Sequence, residues 1–356
     1  MTLASRGASS LRRIPAFPRA LRTLGAGEAG RWAALLCRFR EFPIRIAIFG
    51  TGGAGGYFGA QLARAGEEVI FIARGEHLQA IRRQGLRVET PKGEFVIQPA
   101  QATDDPAQVG AVDVLLVGVK AWQVIDAAHA ARPLIGPETF VVPLQNGVEA
   151  PSQLAAVLGA EHVLGGLCGT FSWLTGPGQI RSIGEAHFVK FGELDNRPSE
   201  RTERLRQAFD RAGVKVEVPS DIRQALWEKF LFVVSFGGVG AVTRAPVGVI
   251  RTVPETRRML EQCMHEILAV ARARQVPLRD TIIANTLAFV DSLAPGGTTS
   301  LQRDIAEGKP SELEAWNGAV VRLGCEAGVA TPLHEFIYHS LLPLELRARG
   351  QVQFPT

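Results

Sequence analysis

Lysine is scarce in this chain, and its cationic side chains are almost all arginine. Of the 39 Lys and Arg residues among 356, only six are lysine: Lys92, Lys120, Lys190, Lys215, Lys229 and Lys309. Because arginine fills the general surface role, a lysine inside an apolar segment is a candidate for a function that needs a titratable ammonium group.

The chain also lacks the cysteine patterns of disulfide-rich and metal-binding proteins. Its four cysteines, Cys37, Cys168, Cys263 and Cys325, are far apart, and no pair has CxxC or zinc-finger spacing. We interpret them as small buried thiols in a reducing compartment. This predicts a cytoplasmic protein without a disulfide framework and without a metal site.

No apolar run is long enough to cross a membrane. The most apolar stretch, residues 230–243, has 14 residues between Lys229 and Arg244, whereas a spanning helix needs about 20. We therefore expect a buried helix or a close-packed turn region here, and no membrane partner.

Basic charge is concentrated at the N-terminus. The formal net charge is +4 and the pI about 9.1, but residues 1–43 hold eight arginines and two glutamates, so the remainder carries −2. A body without basic excess argues against nucleic acid as a partner.

We expect residues 1–43 to be a disordered leader. An extension from an upstream start codon is our preferred origin, and a transit peptide for organellar import is the alternative.

The composition is that of an ordinary globular protein, with 46% hydrophobic and 21% charged residues, and the length predicts about two domains.

A β-branched strand over residues 44–49 runs into a glycine-rich loop. A helical pattern over 57–65 and a second strand over 69–72 follow. This β-turn-α-β order is the context that a GxGxxG match requires, so we predict dinucleotide binding by the loop. The loop residues are Gly50, Thr51, Gly52, Gly53, Ala54 and Gly55.

The end of the second strand indicates which dinucleotide is used. An acidic residue there would bind the ribose of NAD, but this chain has Arg74 followed by Gly75. A guanidinium suits a 2′-phosphate, so we predict NADP(H) as the cofactor. The alternative is a solvated surface arginine.

Two further buried strands, at 112–119 and 139–144, are each followed by polar side chains. Lys120 and Gln123 follow the first, and Asn146 follows the second. In an open α/β sheet the ligand crevice lies at the carboxyl ends of the strands. All three residues are therefore candidates for the crevice, with ordinary loop polarity as the alternative.

The second half of the chain has helical patterns in place of strands. A strand over 214–218 closes the part rich in strands, and helical patterns follow at about 221–243, 254–275, 280–293, 312–328 and 333–347. We predict an α/β protein with a Rossmann-like NADP-binding domain over 44–219 and an all-α domain over 220–350 that supplies substrate and catalytic groups. In this second part Lys229 could simply extend to the surface, and Glu312 could complement a helix N-terminus.

The folded chain, about residues 44–347, resembles the ketopantoate reductase (2-dehydropantoate 2-reductase) family. The resemblance depends on an ordered set of motifs: the glycine-rich loop, Arg74-Gly75, Lys120-x-x-Gln123, Gln145-Asn146-Gly147, Trp227-x-Lys229, Ser300-x-x-x-Asp304, and Glu312 with Asn317-Gly318. A single motif would be weak evidence, whereas the full set in the family's order is specific.

The resemblance implies roles for the matching residues. Lys229 would be the general acid, and Glu312 and Ser300 would bind the substrate, with Ser300 at its carboxylate. Asn146 would lie between nicotinamide and substrate, Arg74 would hold the 2′-phosphate, and Lys120 and Gln123 would border the cofactor. The implied enzyme is an NADPH-dependent reductase that converts ketopantoate to (R)-pantoate for pantothenate and coenzyme A synthesis. Its expected partners are a small 2-oxo acid and, as a candidate assembly, a second copy in a homodimer.

One departure keeps the substrate open. Well-studied members of the family have asparagines four and eight residues after the catalytic lysine, where this chain has Val233 and Gly237. Reduction of a different 2-oxo acid is therefore an alternative. A non-catalytic NADP(H)-sensing protein is the alternative from another class, but Lys229 and Glu312 are both present.

Overall fold

The computed structural model describes residues 43–355, so residues 1–42 of the predicted leader lie outside the described residues. Between residues 43 and 221 the chain forms ten strands in two sheets. The strands are β1 (Arg45–Phe49), β2 (Glu68–Ile72), β3 (Leu86–Thr90), β4 (Gly93–Ile97), β5 (Gln101–Thr103), β6 (Val114–Val117), β7 (Phe140–Pro143), β8 (Gly165–Gly176), β9 (Gln179–Gly192) and β10 (Lys215–Glu217).

The first sheet is wholly parallel and has the order β5-β2-β1-β6-β7. Strands β1 and β6 are almost completely buried, which explains their near-continuous apolar sequences. After β1 the chain builds the sheet outward through β2 and β5, and then returns to β6 on the other side. The carboxyl ends of β1 and β6 therefore flank a topological switch point, where ligands bind in such sheets.

The second sheet has the order β10-β9-β3-β4, with β8 paired antiparallel along β9. The helices of this part are α1 (Gly53–Arg64), α2 (Gly75–Gln84), α3 (Val124–Ala131), α4 (Ala150–Leu158) and α5 (Glu200–Arg211). Helix α1 packs between the two sheets, because its Phe58 and Leu62 share one apolar cluster with residues of β1, β3 and β9. The second sheet thus lies against the helix that the glycine-rich loop begins.

From Ile222 onward the described chain is helical. Its helices are α6 (Ile222–Thr243), α7 (Val247–Thr252), α8 (Pro254–Ala273), α9 (Ile282–Ser292), α10 (Ser300–Ala306), a π-helix (Glu314–Gly318), α11 (Ala319–Ala327) and α12 (Pro332–Ala348). Their core surrounds α6 and includes the fully buried Trp316 and Phe230. The predicted fold class, a Rossmann-like α/β part followed by helices, is confirmed. The exact domain limits stay a prediction.

Helix α6, Ile222–Thr243, confirms the helix predicted at about 221–243. Its 22 residues are long and apolar enough to span a membrane by length and composition. However, 72% of its most apolar window is buried inside the protein. The helix therefore packs as the centre of the helical core.

Candidate functional site

The glycine-rich loop turns tightly between β1 and α1. Gly50 has a φ of +98°, and a Cβ atom there would lie 2.7 Å from the backbone nitrogen of Val119. A Cβ on Gly55 would overlap the carbonyl oxygen of Gly50, so α1 can approach β1 closely only because Gly55 has no side chain. Gly52, in contrast, has no atom within 4 Å of its Cβ position. The loop is thus closed on its strand side and open at Gly52.

The first turn of α1 suits an anion. Its N-cap is Gly52, which provides no side-chain cap, and no acidic residue lies in the first turn that includes Gly53 and Ala54. The backbone N–H groups of this turn are therefore free to bind phosphate oxygens, as the pyrophosphate of a dinucleotide requires. The Thr51 hydroxyl is not free in the same way, because it donates to Ile72 O at 3.0 Å.

The β8–β9 hairpin covers one side of the loop, which the sequence did not reveal. A Cβ on Gly53 would overlap the carbonyl oxygen of Ser172 in β8. His77 adds a second link: its Nδ1 accepts from Gly178 N at 2.9 Å, so its Nε2 donates to Thr51 O at 2.8 Å. Burial lowers the pKa of His77, and a neutral ring is the form that both bonds require.

Arg74 lies where the sequence predicted, at the end of β2 and just before α2. Its side chain is exposed, and no hydrogen bond or ion pair to it occurs within residues 43–355. The loop is close by, because Gly50 N and Thr51 N both donate to Ile72 O, two residues before Arg74. A free guanidinium beside a phosphate-binding loop fits a second phosphate group.

Lys120, Gln123 and Asn146 emerge at the carboxyl ends of β6 and β7, as predicted. Asn146 is partly exposed, whereas the neighbouring Gln145 is buried and donates to Val117 O and Val119 O, both at 2.9 Å. Gln123 is exposed, and its side-chain oxygen accepts from Lys120 N at 3.2 Å. Gln145 therefore holds the two strand ends together, and Gln123 folds back on its own turn.

Lys229 lies in α6 and extends towards the N-terminal part, where its Nζ donates to the carbonyl oxygen of Cys168 in β8. Burial lowers its pKa, and the electrostatic effects of Cys168 and of the Glu312 carboxylate act against that shift. The lysine is therefore an amine held beside the strand ends that loses its proton more readily than a free lysine. Surface extension, the alternative considered from sequence, does not describe this side chain.

Glu312 is only 7% exposed and lies at the same place. Its Oε1 accepts from the backbone nitrogen of Ala121, just after β6, at 3.0 Å. Burial raises its pKa, against the lowering effects of Lys120 and of the Ala121 N–H. One detail of the sequence interpretation is wrong: Glu312 is not in the first turn of a helix, because the π-helix begins two residues later, at Glu314.

Lys120 contacts the helical part of the chain directly. Its Nζ lies 3.0 Å from Oδ2 of Asp304 in α10. Lys120, Asp304, Glu312 and Lys229 thus form a charged cluster between the end of β6, strand β8 and the helices. We call the space beside this cluster the cleft.

Ser300 is the predicted site residue whose contacts are least defined. It begins α10 and is partly exposed, and no hydrogen bond to its side chain occurs in the described part of the chain. The preceding Thr299 lies against α6, with its Oγ1 3.4 Å from the Cβ position of Gly237. The ring of Trp316 lies 2.7 Å from the same position. Trp316 therefore fills the space that a larger residue at 237 would need.

Sequence reasoning missed several contributors to the site. Asp304 was quoted only as part of a motif, and the carbonyl of Cys168 and the N–H of Ala121 have no sequence signal because every residue carries these groups. Across the described residues, no group of three His, Cys, Asp or Glu side chains is arranged to hold a metal ion.

Comparisons with known proteins agree with this architecture. The family model described as "Ketopantoate reductase PanE/ApbA" matches residues 46–196, and the model of its C-terminal region matches residues 221–345. A 2-dehydropantoate 2-reductase of Nostoc is 30% identical over 86% of this chain and 98% of its own length. The crystal structure of a ketopantoate reductase from Ralstonia eutropha is 32% identical, with a TM-score of 0.78 over 85% of this chain and 99% of that one.

The same fold occurs in a protein with another name. A ternary structure of D-mandelate dehydrogenase with NADH and anilino(oxo)acetate superposes with a TM-score of 0.78 over 85% of this chain and 99% of its own. At 23% identity this likeness concerns the fold alone.

Proposed function

Because the chain belongs to the ketopantoate reductase family, we propose that it is an NADPH-dependent reductase that converts ketopantoate to (R)-pantoate, a step towards pantothenate and coenzyme A. The observation that carries the proposal is the proximity of two groups: Lys229, held at Cys168 O in β8, and Glu312, held at Ala121 N just after β6, each of which shifts the pKa of the other. A glycine-rich loop with free helix N–H groups follows the neighbouring strand β1. An amine and a carboxylate at the mouth of a dinucleotide crevice suit reduction of a carbonyl that lies beside an acid group.

The cofactor would supply the hydride. The residues of the chain bind the substrate, orient it and protonate the oxygen of the reduced carbonyl. The Lys229 ammonium has donors left after its bond to Cys168 O, since a lysine has three. One of these donates a proton to the alkoxide that develops on the reduced carbon. The positive charge of Lys229 also stabilises that alkoxide before the proton moves.

Glu312 has a binding role in this proposal. One of its oxygens is held by Ala121 N–H, which leaves Oε2 without a hydrogen-bond partner among the described residues. Oε2 is the atom we assign to a substrate hydroxyl. Asn146, partly exposed at the end of β7, would contact both nicotinamide and substrate, and Ser300 would contact the substrate carboxylate.

Steady-state oxidation of NADPH by the purified protein, followed at 340 nm with ketopantoate, tests the proposal. We expect saturable turnover with ketopantoate and the formation of pantoate. Binding of NADPH without turnover on any 2-oxo acid would contradict the proposal and favour the non-catalytic alternative, a sensor of NADP(H).

A second candidate, reduction of another 2-oxo acid, is favoured by the surface of α6 beyond Lys229. Val233 and Gly237 continue the same helix face at intervals of four residues and provide no hydrogen-bonding side chain. Trp316 occupies the space beside Gly237. A substrate hydroxyl would find no partner on this face.

A pair of substrates that differ in one oxygen separates the two candidates. Ketopantoate and its deoxy analogue, 3,3-dimethyl-2-oxobutanoate, have the same carbon skeleton, so the ratio of their kcat/KM values measures recognition of the hydroxyl. A ratio well above one supports ketopantoate, and a ratio near or below one supports an apolar 2-oxo acid. Val233→Asn, at a partly exposed position, should raise the ratio, whereas Gly237→Asn should damage the fold because it overlaps Trp316.

A further inference from the structure

Glu312 is carried by a segment that has no regular structure. Helix α10 ends at Ala306 and the π-helix begins at Glu314. The residues between them belong to no helix or strand, and within the described chain the only hydrogen bond from the next helix to Glu312 is the one that Trp316 N donates to its carbonyl oxygen at 3.0 Å. The position of the Glu312 side chain therefore depends on tertiary contacts. The residue before it, Ser311, is fully buried and makes most of these contacts.

Ser311 is bound by Glu345, a residue of α12 that is only 3% exposed. Ser311 N donates to Oε2 of Glu345 at 3.0 Å and to Oε1 at 3.2 Å, and the Ser311 hydroxyl donates to Oε2 as well. A buried carboxylate is destabilising unless it is hydrogen-bonded and paired with a cation. Ser311 supplies the hydrogen bonds, and Arg349 supplies the positive charge.

Arg349 connects both sides of the Glu312 contact. Its Nε donates to Oε1 of Glu345 at 2.6 Å, and its Nη2 donates to Ser311 O at 3.2 Å. Its guanidinium carbon lies 4.6 Å from the ring centroid of Trp122. Trp122 directly follows Ala121, whose N–H binds Glu312. One arginine therefore contacts both the segment that carries Glu312 and the turn that receives it.

We propose that Glu345 and Arg349 are positioning residues that hold Glu312 against the turn after β6. They act through Ser311 and Trp122 and do not themselves touch the substrate. This inference rests on the proposed function only in that Glu312 binds the substrate. Without this support, Glu312 would lose its bond to Ala121 N–H, and its free oxygen would no longer be fixed in the cleft.

Glu345→Gln tests the inference in the intact protein. The amide can still accept from Ser311 N, but it loses the charge that pairs with Arg349. We expect KM for the 2-oxo acid to rise by about tenfold, the usual effect of losing a charged hydrogen bond, with kcat and the affinity for NADPH little changed. Arg349→Lys keeps the charge but loses the planar contact with Trp122, so it should shift KM in the same direction even if Glu345→Gln folds poorly.

Glu67→Gln is the matched control. Glu67 is an equally buried carboxylate that accepts from Ile44 N at 2.7 Å and pairs with Arg211 at 2.6 Å, and it lies in the N-terminal part, away from the cluster. Glu67→Gln should lower the free energy of unfolding as Glu345→Gln does, because both substitutions break a buried pair of a carboxylate with an arginine. Its KM for the 2-oxo acid should stay at the wild-type value.

A readout that needs no turnover separates this inference from the proposed function. Hydrogen exchange at the Ala121 amide, measured on the peptide that contains it, should be faster in Glu345→Gln than in the wild type and unchanged in Glu67→Gln. If the wild-type protein is inactive on every 2-oxo acid, the proposed function is wrong, but the prediction for exchange at Ala121 is unaffected. Exchange at Ala121 that is the same in wild type and Glu345→Gln would overturn the inference, whatever the activity.

Discussion

The ammonium group of Lys120 lies 3.0 Å from the carboxylate of Asp304, although 184 residues separate them along the chain. The pair ties the end of β6 to helix α10 beside Glu312. Lys120 is 43% exposed and Asp304 21%, so solvent screening makes the pair a minor source of stability. The two charges matter more for Glu312: Lys120 lowers the pKa of this carboxyl group, and Asp304 raises it.

Asp304→Asn should therefore change the pH dependence more than the stability. Removing the negative charge lowers the pKa of Glu312, so activity that needs ionised Glu312 should persist to lower pH. We expect the acidic limb of the kcat/KM profile to move down in pH, while the free energy of unfolding changes by less than about 1 kcal/mol.

Asp291→Asn is the control for that experiment. Asp291 pairs with Arg257 at 2.6 Å on the surface of α8 and α9. The substitution removes the same charge far from Glu312. An acidic limb that moves equally in both variants would mean that the net charge of the protein, and not the charge of Asp304 beside Glu312, is responsible.

Cofactor choice should depend on Arg74. Arg74→Ala removes a charge-assisted contact to the 2′-phosphate worth about 1.5–3 kcal/mol, so KM for NADPH should rise about tenfold or more while KM for NADH hardly changes. The exposed Arg83, in the last turn of α2, offers a matched control, because Arg83→Ala removes one positive charge further from the loop. Equal losses with both cofactors in Arg74→Ala would make Arg74 structural.

The elements that the sequence predicted are those whose signal is local. The strand before Gly50, the glycine loop and α6 with Lys229 are set by residue pattern and burial within a few turns. The short strand β5 and helix α7 were missed, because three to six residues carry little periodicity.

The arrangement of the candidate site was less accessible from sequence. Two contacts join distant segments: Lys120 with Asp304, and Lys229 with Cys168 O. In the second contact the acceptor is a backbone carbonyl, which residue type does not reveal. The filling of the space at Gly237 by Trp316 likewise appears only when the helices are packed. The compartment, the homodimer and the roles of the site residues stay predictions.

Stability should fall in mild acid because of His334. This histidine is fully buried and accepts from Asn317 on one side of the ring, while the other side donates to Cys263 O. Burial lowers its pKa from 6.5 to about 4. Between those values the unfolded chain binds a proton that the folded protein does not, so stability decreases as pH falls through this window.

Urea unfolding of the wild type and of His334→Gln at pH 7.5 and 5 measures this effect. The wild type should lose about 2 kcal/mol more than the variant on going to pH 5, from a shift of this size. Equal losses in both proteins would show that groups other than His334 cause the acid sensitivity.

The proposed proton donor gives the most direct test of the chemistry. A positioned general acid contributes about 10²–10⁴-fold, so Lys229→Ala should lower kcat by that order while NADPH binding, followed by fluorescence, is retained. Because burial lowers the pKa of Lys229 and the ammonium form is the donor, wild-type turnover should decline with rising pH at values below 10.5, the ordinary pKa of lysine. Lys229→Arg, which stays protonated, should be slow but should not show that decline. Lys190→Ala, a lysine paired with Glu217 at 2.8 Å on the second sheet, is the control and should keep both the rate and the alkaline limb. Near-normal turnover of Lys229→Ala on the best 2-oxo acid would exclude Lys229 as the donor, even though the fold and the family would stand.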